Sequence, residues 1–188
     1  MKCEGRVWRY LPAGAHPLHF HHLIHAGGRW NRRGLYGCLY TALTPAGAAA
    51  EHGKHERRRG LARPRDLVAL DVWVDPVFDL VSWLEDPRPI RVPGLPGPSR
   101  PPDLSDGQAV GDEAADLEAC RHVADWARTH GFVALLAPSA ALEGDRVLAI
   151  YPENAPRHLR LLETDVRHPL NYGDRALLDA RGELRQPL

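Results

Sequence analysis

Three places in the chain set polar groups where such groups do chemistry. The first is Gly27-Gly28-Arg29-Trp30-Asn31. Two glycines let backbone approach a ligand closely, and the arginine after them can grip a phosphate or a carboxylate in a fork. The same string also suits a tight turn with a solvated arginine. The second place is Tyr40 followed by Glu51, which comes directly after Ala48-Ala49-Ala50. A carboxylate among small apolar residues needs a partner or a function; the competing reading turns Glu51 outward to pair with a Lys or Arg. The third is Pro138-Ser139, at the end of an apolar run. A hydroxyl at a strand end can bind a ligand or simply make a turn, and without a surrounding GxSxG it is not a serine-hydrolase nucleophile.

Other polar residues carry weaker signals. His16, His19, His21, His22 and His25 are of the type that binds zinc, nickel or copper. They share one stretch and lack the spaced second ligand pair of a structural zinc site, so no metal is expected. His52 and His55 flank Gly53-Lys54 in a form unlike HExxH, and no P-loop or GxGxxG is present. Arg57-Arg58-Arg59 reads as a solvated face. Cys3, Cys38 and Cys120 show neither CxxC nor zinc spacing, which suggests reduced thiols.

These residues depend on the elements that hold them. Residues 5–11 read as a short strand, and residues 36–42 (YGCLYTA) as a second. Thr44 and Pro45 are suited to the N-cap and first position of a helix that passes through Glu51 and ends near Arg58 or Gly60. Residues 67–74 form the clearest strand pattern. Residues 86–102 carry seven prolines and are expected to be an exposed loop without regular structure. The best helix is 112–130, with Leu117, Cys120, Val123, Ala124 and Ala127 at helical spacing and Gly131 as its stop. Residues 132–137, 146–151 and 158–166 read as further strands. The order is mixed α+β.

The bulk composition narrows the function classes. At 188 residues the chain has the size of a single domain, 1–188, with one core. A hydrophobic fraction of 44% excludes a wholly disordered protein. Lys plus Arg and Asp plus Glu are 24 each, and this zero formal charge counts against a general nucleic-acid binder. No signal-peptide pattern and no apolar run long enough for a bilayer are seen, so a cytoplasmic protein is expected.

Taken in order, the series Gly28-Arg29-Trp30-Asn31, Tyr40-Thr41-Ala42, Ala50-Glu51 and Ala137-Pro138-Ser139-Ala140 resembles the RES domain, a family named for its Arg, Glu and Ser. Tyr151-Pro152-Glu153-Asn154 and Tyr172-Gly173-Asp174-Arg175 extend the resemblance over nearly the whole chain. Arg9, after Trp8, is a second family-like arginine. The His-rich stretch before Gly27 and the segment between Asn31 and Tyr40 with Arg32-Arg33 depart from the pattern.

The resemblance implies the toxin half of a toxin–antitoxin pair and a fold like that of the ADP-ribosyltransferases, an α+β domain with a split mixed sheet and flanking helices. It implies NAD⁺ as substrate, cleaved at the nicotinamide–ribose bond by hydrolysis or phosphorolysis. It also implies an Xre-type helix-turn-helix antitoxin as partner, with no direct nucleic-acid or membrane contact and a homodimer left open. On this reading Glu51 stabilises the cationic ribose, Arg29 and Arg9 grip the diphosphate, Tyr40 serves nicotinamide or ribose, and Ser139 donates to ribose or phosphate. The alternatives are an enzyme that places ADP-ribose on a protein, using the same residues, and a non-catalytic module that only binds a partner.

Overall fold

The computed structural model describes residues 1–15, 24–25, 27–59, 65–154 and 160–170, those at 56–59 and 160–170 by their backbone. Strand β1 (Cys3–Pro12) shows the two-residue period of a half-buried strand: Val7, Arg9 and Leu11 are buried, while Trp8 and Tyr10 are half-buried. It pairs antiparallel with β3 (Arg65–Val74) along its whole length, from Cys3 opposite Val74 to Pro12 opposite Arg65. β9 (Arg160–Leu170) pairs antiparallel with the far side of β3, with a register shift between Val68 and Leu70. The second wing contains β2 (Leu39–Ala42), β4 (Val77–Asp79), β7 (Ala134–Pro138) and β8 (Arg146–Ile150). Its pairs are antiparallel except for β4 with β7, which is parallel.

The wings meet where Trp8 of β1 lies opposite Ala42 of β2, giving one seven-stranded mixed sheet in the order β4-β7-β8-β2-β1-β3-β9. The expected split is therefore a narrow seam inside a continuous sheet. β2 has four residues against ten in β1 and cannot pair along its length. On β7 and β8 the alternation divides the core. Leu135, Ala137, Val147 and Ala149 face a cluster that includes Trp30, Tyr36, Phe78, Val123 and Tyr151. Ala134, Leu136, Leu148 and Ile150 face one that includes Val7, Leu11, Leu39 and Val68.

Helix α1 (Pro45–Arg59) begins as its sequence predicts, with Thr44 Oγ1 accepting from Gly47 N at 2.9 Å. It packs on β1 and β2, where Ala48 joins Ala42 and Leu67, with Trp8 and Tyr10 beside them. A short helix α2 (Leu80–Glu85) follows β4, with Asp79 as its cap. α3 (Asp106–Val110) is held by a capping box between Ser105 and Gln108. α4 (Ala114–Thr129) buries Cys120, Val123, Ala124 and Ala127, and Gly131 takes a positive φ of 81° just beyond its end. None of α2, α3 and β4 is signalled strongly enough to be expected from sequence.

Three further expectations need correction. Within 86–102, β5 (Ile90–Arg91) pairs with β6 (Pro98–Ser99) as a two-stranded ribbon. Such a small ribbon needs few backbone donors, so it tolerates a proline. Residues 36–38 lie outside β2: Tyr36 and Cys38 are buried, but the Tyr36 carbonyl accepts from Asn31 Nδ2 at 3.1 Å. The last strand runs Arg160–Leu170 rather than 158–166, and positions 158 and 159 lie outside the described residues. Cys3, Cys38 and Cys120 are free thiols. No helix among the described residues is long and apolar enough to cross a membrane.

Candidate active site

α1 brings Glu51 to the end of β7. Ser139 Oγ donates to Glu51 Oε1 at 2.7 Å, and Ala140 N donates to the same oxygen at 3.2 Å. Among the described residues no hydrogen bond reaches Oε2. Two of the three sequence candidates thus meet, and the partner that Glu51 requires is Ser139 rather than a surface cation. Ser139 Oγ also accepts from Ala141 N and Leu142 N, at 3.2 and 3.1 Å. A hydroxyl has one proton and two lone pairs, so this one is fully engaged. Ser139 aims the carboxylate, and its proton is not available to a ligand in this state.

The Gly27–Asn31 turn is built around Tyr40. The Tyr40 hydroxyl donates to Asn31 Oδ1 at 2.8 Å and accepts from Trp30 N at 2.8 Å. Burial pushes the phenol well above its ordinary range. A Cβ at Gly28 would fall 2.3 Å from that oxygen, so glycine is required there by the close approach of Tyr40 rather than of a ligand. Gly27 next to it takes a φ of 66°, in the left-handed region. The Tyr40 hydroxyl therefore works as scaffold.

Arg29 projects from this turn into the segment between α3 and α4. Its Nη1 donates to Gly111 O at 2.6 Å and Ala109 O at 3.2 Å, and its Nη2 meets Asp112 Oδ1 at 2.7 Å. Asp112 precedes α4 instead of starting it. Lys54, on α1, pairs with the other oxygen, Asp112 Oδ2, at 2.9 Å and donates to Ala140 O at 2.6 Å. The chain of contacts runs Arg29, Asp112, Lys54, the Ala140 peptide, Glu51. It joins Arg29 to the Glu51–Ser139 pair through two residues that sequence reasoning missed. Lys54 had one local signal, a position three residues after Glu51 that places both on one side of a helix.

Arg9 is 6% exposed. Strand alternation groups it with Val7 and Leu11, on the face of β1 away from Trp8, Tyr10 and α1. Burial lowers its pKa to about 10, with Cys38 pulling the other way. Cys38 itself is pushed up by burial. Asn154, in the Tyr151–Asn154 motif, ties the chain after β8 to α4 by donating to Arg128 O and Phe132 O, at 2.7 and 2.9 Å. No group of His, Cys, Asp or Glu among the described residues could hold a metal ion. His16, His19, His21 and His22 and the Tyr172–Arg175 motif lie outside those residues, as do the side chains of Arg57, Arg58 and Arg59.

Comparison with known proteins shows the family. The model of the RES domain matches residues 6–172, and the chain belongs to that family. Among solved structures the fold is similar to a chain of the M. tuberculosis MbcT–MbcA toxin–antitoxin complex. The TM-score is 0.59 at 19% identity, over 90% of this chain and 86% of that one. No curated protein matches the chain in sequence.

Proposed function

We propose that the protein is the toxin of a toxin–antitoxin pair and that it breaks the nicotinamide–ribose bond of NAD⁺. The observation that carries this reading is the Glu51–Ser139 contact: the carboxylate to which the sequence resemblance points is held in one orientation, with its second oxygen left for a ligand. Membership of the RES family and the fold shared with a toxin–antitoxin complex support the biological role. The seam between β1 and β2 supports a likeness to the ADP-ribosyltransferases.

The chemistry follows from charge. As the C–N bond breaks, its electron pair goes to the pyridinium nitrogen and nicotinamide leaves neutral. The ribose becomes oxocarbenium-like, as in glycoside cleavage. Glu51 faces that cation and lowers its energy, and because Ser139 and the Ala140 amide already hold the carboxylate, little reorganisation is needed. Water or inorganic phosphate then bonds to the ribose carbon, and a water nucleophile gives its proton to solvent. The Tyr40 ring can lie against nicotinamide while its hydroxyl stays in the scaffold. The partner that switches the enzyme off is an Xre-type helix-turn-helix antitoxin, and the setting is the cytoplasm.

The test is nicotinamide release by the purified protein, with Glu51→Gln as control. Release that depends on Glu51 is expected. No release from folded wild-type protein, with inorganic phosphate present, would remove NAD⁺ breakdown and leave transfer of ADP-ribose to a specific protein or a partner-binding role.

A further inference from the structure

Asp112 is an anion held between two cations carried by different elements. Arg29 Nη2 reaches one carboxylate oxygen at 2.7 Å and Lys54 Nζ the other at 2.9 Å. The cations are the less exposed partners: the side chains of Arg29 and Lys54 are 12% and 19% exposed, and that of Asp112 is 37%. The carboxylate is thus the member of the cluster nearest to solvent. It also lies in the short connection between Gly111, which closes α3, and Glu113, which caps α4, outside either helix.

The cations are held independently of Asp112. Arg29 Nη1 donates to Ala109 O and Gly111 O, and Lys54 donates to Ala140 O. If Asp112 moved away, both would keep their positions and would face each other with no counter-charge. Two largely buried cations in that state demand an anion. They stand one peptide unit from the carboxylate that faces the ribose, because the Ala140 carbonyl serves Lys54 while the Ala140 amide serves Glu51.

We propose that Arg29 and Lys54 form the seat of a diphosphate and that Asp112 fills this seat until the substrate displaces it. The identity of the ligand rests on the NAD⁺ reading above. Lys54 is then the second cation of the substrate site, and Asp112 is an internal competitor that weakens binding. A purely structural ion pair makes the opposite prediction. There, Asp112 never leaves the two cations, so Lys54→Met would cost stability and leave the pyrophosphate affinity of the chain with Asp112 present unchanged.

The probe is inorganic pyrophosphate, titrated calorimetrically into the full chain at fixed ionic strength. Lys54→Met should weaken binding by about tenfold, the worth of one charge-assisted contact, and Lys54→Arg should restore most of it. Asp112→Asn should tighten binding by about tenfold on the same scale. Asp112→Ser carries the same expectation if Asp112→Asn does not fold. Binding that is no tighter in the Asp112 variants, or unchanged in Lys54→Met, would overturn the proposal. Nicotinamide release is read on the same samples. Release with pyrophosphate binding indifferent to these residues removes the seat and leaves the reaction. Responsive pyrophosphate binding without release leaves the seat and removes the reaction.

Discussion

The Thr44 hydroxyl donates to the Asp145 carboxylate, and the Asp145 backbone carbonyl accepts from Ser139 N at 2.8 Å. Thr44 caps the helix that carries Glu51. One residue of the β7–β8 turn therefore fixes both the start of α1 and the turn that holds Ser139. The packing leaves no slack: a Cβ at Gly47 would lie 2.0 Å from Asp145 Oδ2.

Asp145→Ala should act on catalysis through this geometry. The Glu51 carboxylate remains but loses its alignment, so kcat should fall by about tenfold or more with KM little changed, as expected for a small displacement of a catalytic group. Asp145→Asn, which can still accept from Thr44, should recover part of the loss. A rise in KM at unchanged kcat would show that Asp145 serves binding instead.

Glu51→Gln keeps the shape and removes the charge. Nicotinamide release should drop by about a hundredfold or more, the scale for one lost electrostatic stabiliser. Ser139→Ala should be milder, because Ala140 N still holds Glu51 Oε1. It should also cost stability, about 1–3 kcal/mol in urea unfolding, since Ala141 N and Leu142 N lose their acceptor. Equal activity losses in the two variants would argue that Ser139 touches the substrate directly.

How far the site was legible in the sequence depends on the distance each contact spans. Thr44-Pro45 marked the start of α1 correctly because capping is local. Glu51 and Ser139 were each visible as candidates, but nothing local joins residues 88 positions apart. Gly28 was legible as a position of close approach, yet its type could not say that a phenol rather than a ligand fills the space. The Ser105–Gln108 capping box has a local signature, but the five residues of α3 are too few for a helical apolar period to support it. Asp112 read as the first residue of a helix, a common place for an acid, whereas its ion pairs come from α1 and the Gly27–Asn31 turn. β4 has three residues, and its parallel partner β7 lies far along the chain, so no periodicity could reveal it.

Alkaline pH should destabilise the fold. Burial holds the Cys38 thiol and the Tyr36, Tyr40 and Tyr151 phenols above their ordinary ranges. In the unfolded chain these groups ionise in the ordinary thiol and phenol ranges, about 9 and about 10, while the folded protein keeps its protons. Their stabilising contribution is complete below pH 9 and is lost as pH rises through the higher folded values. Arg9 works the other way. Burial lowers its folded pKa to about 10, well below that of a solvated guanidinium, so above that pH the folded state gives up a proton first and gains stability with pH. It is one group against seven, because burial also raises Cys3, Tyr10 and Cys120. The urea midpoint should be lower at about pH 10.5 than at about pH 8, and a midpoint that holds or rises would reject this account.

On the proposed reading, expression without an antitoxin should deplete cellular NAD⁺ and stop growth, and co-expression of a cognate antitoxin should restore both. The Glu51→Gln chain separates chemistry from recognition. Its carboxamide keeps an oxygen that accepts from Ser139 and from the Ala140 amide, so the surface around the site should be unchanged. It should be harmless in cells and still co-purify with the antitoxin, because binding uses shape and surface charge while turnover needs the negative charge at the ribose. It should also deepen arrest by the wild-type chain when antitoxin is limiting, since it competes for the same partner. Growth arrest with NAD⁺ unchanged would move the activity to transfer of ADP-ribose onto a protein, where mass spectrometry would find a stable adduct. Arrest by the Glu51→Gln chain at wild-type strength would detach toxicity from this carboxylate altogether.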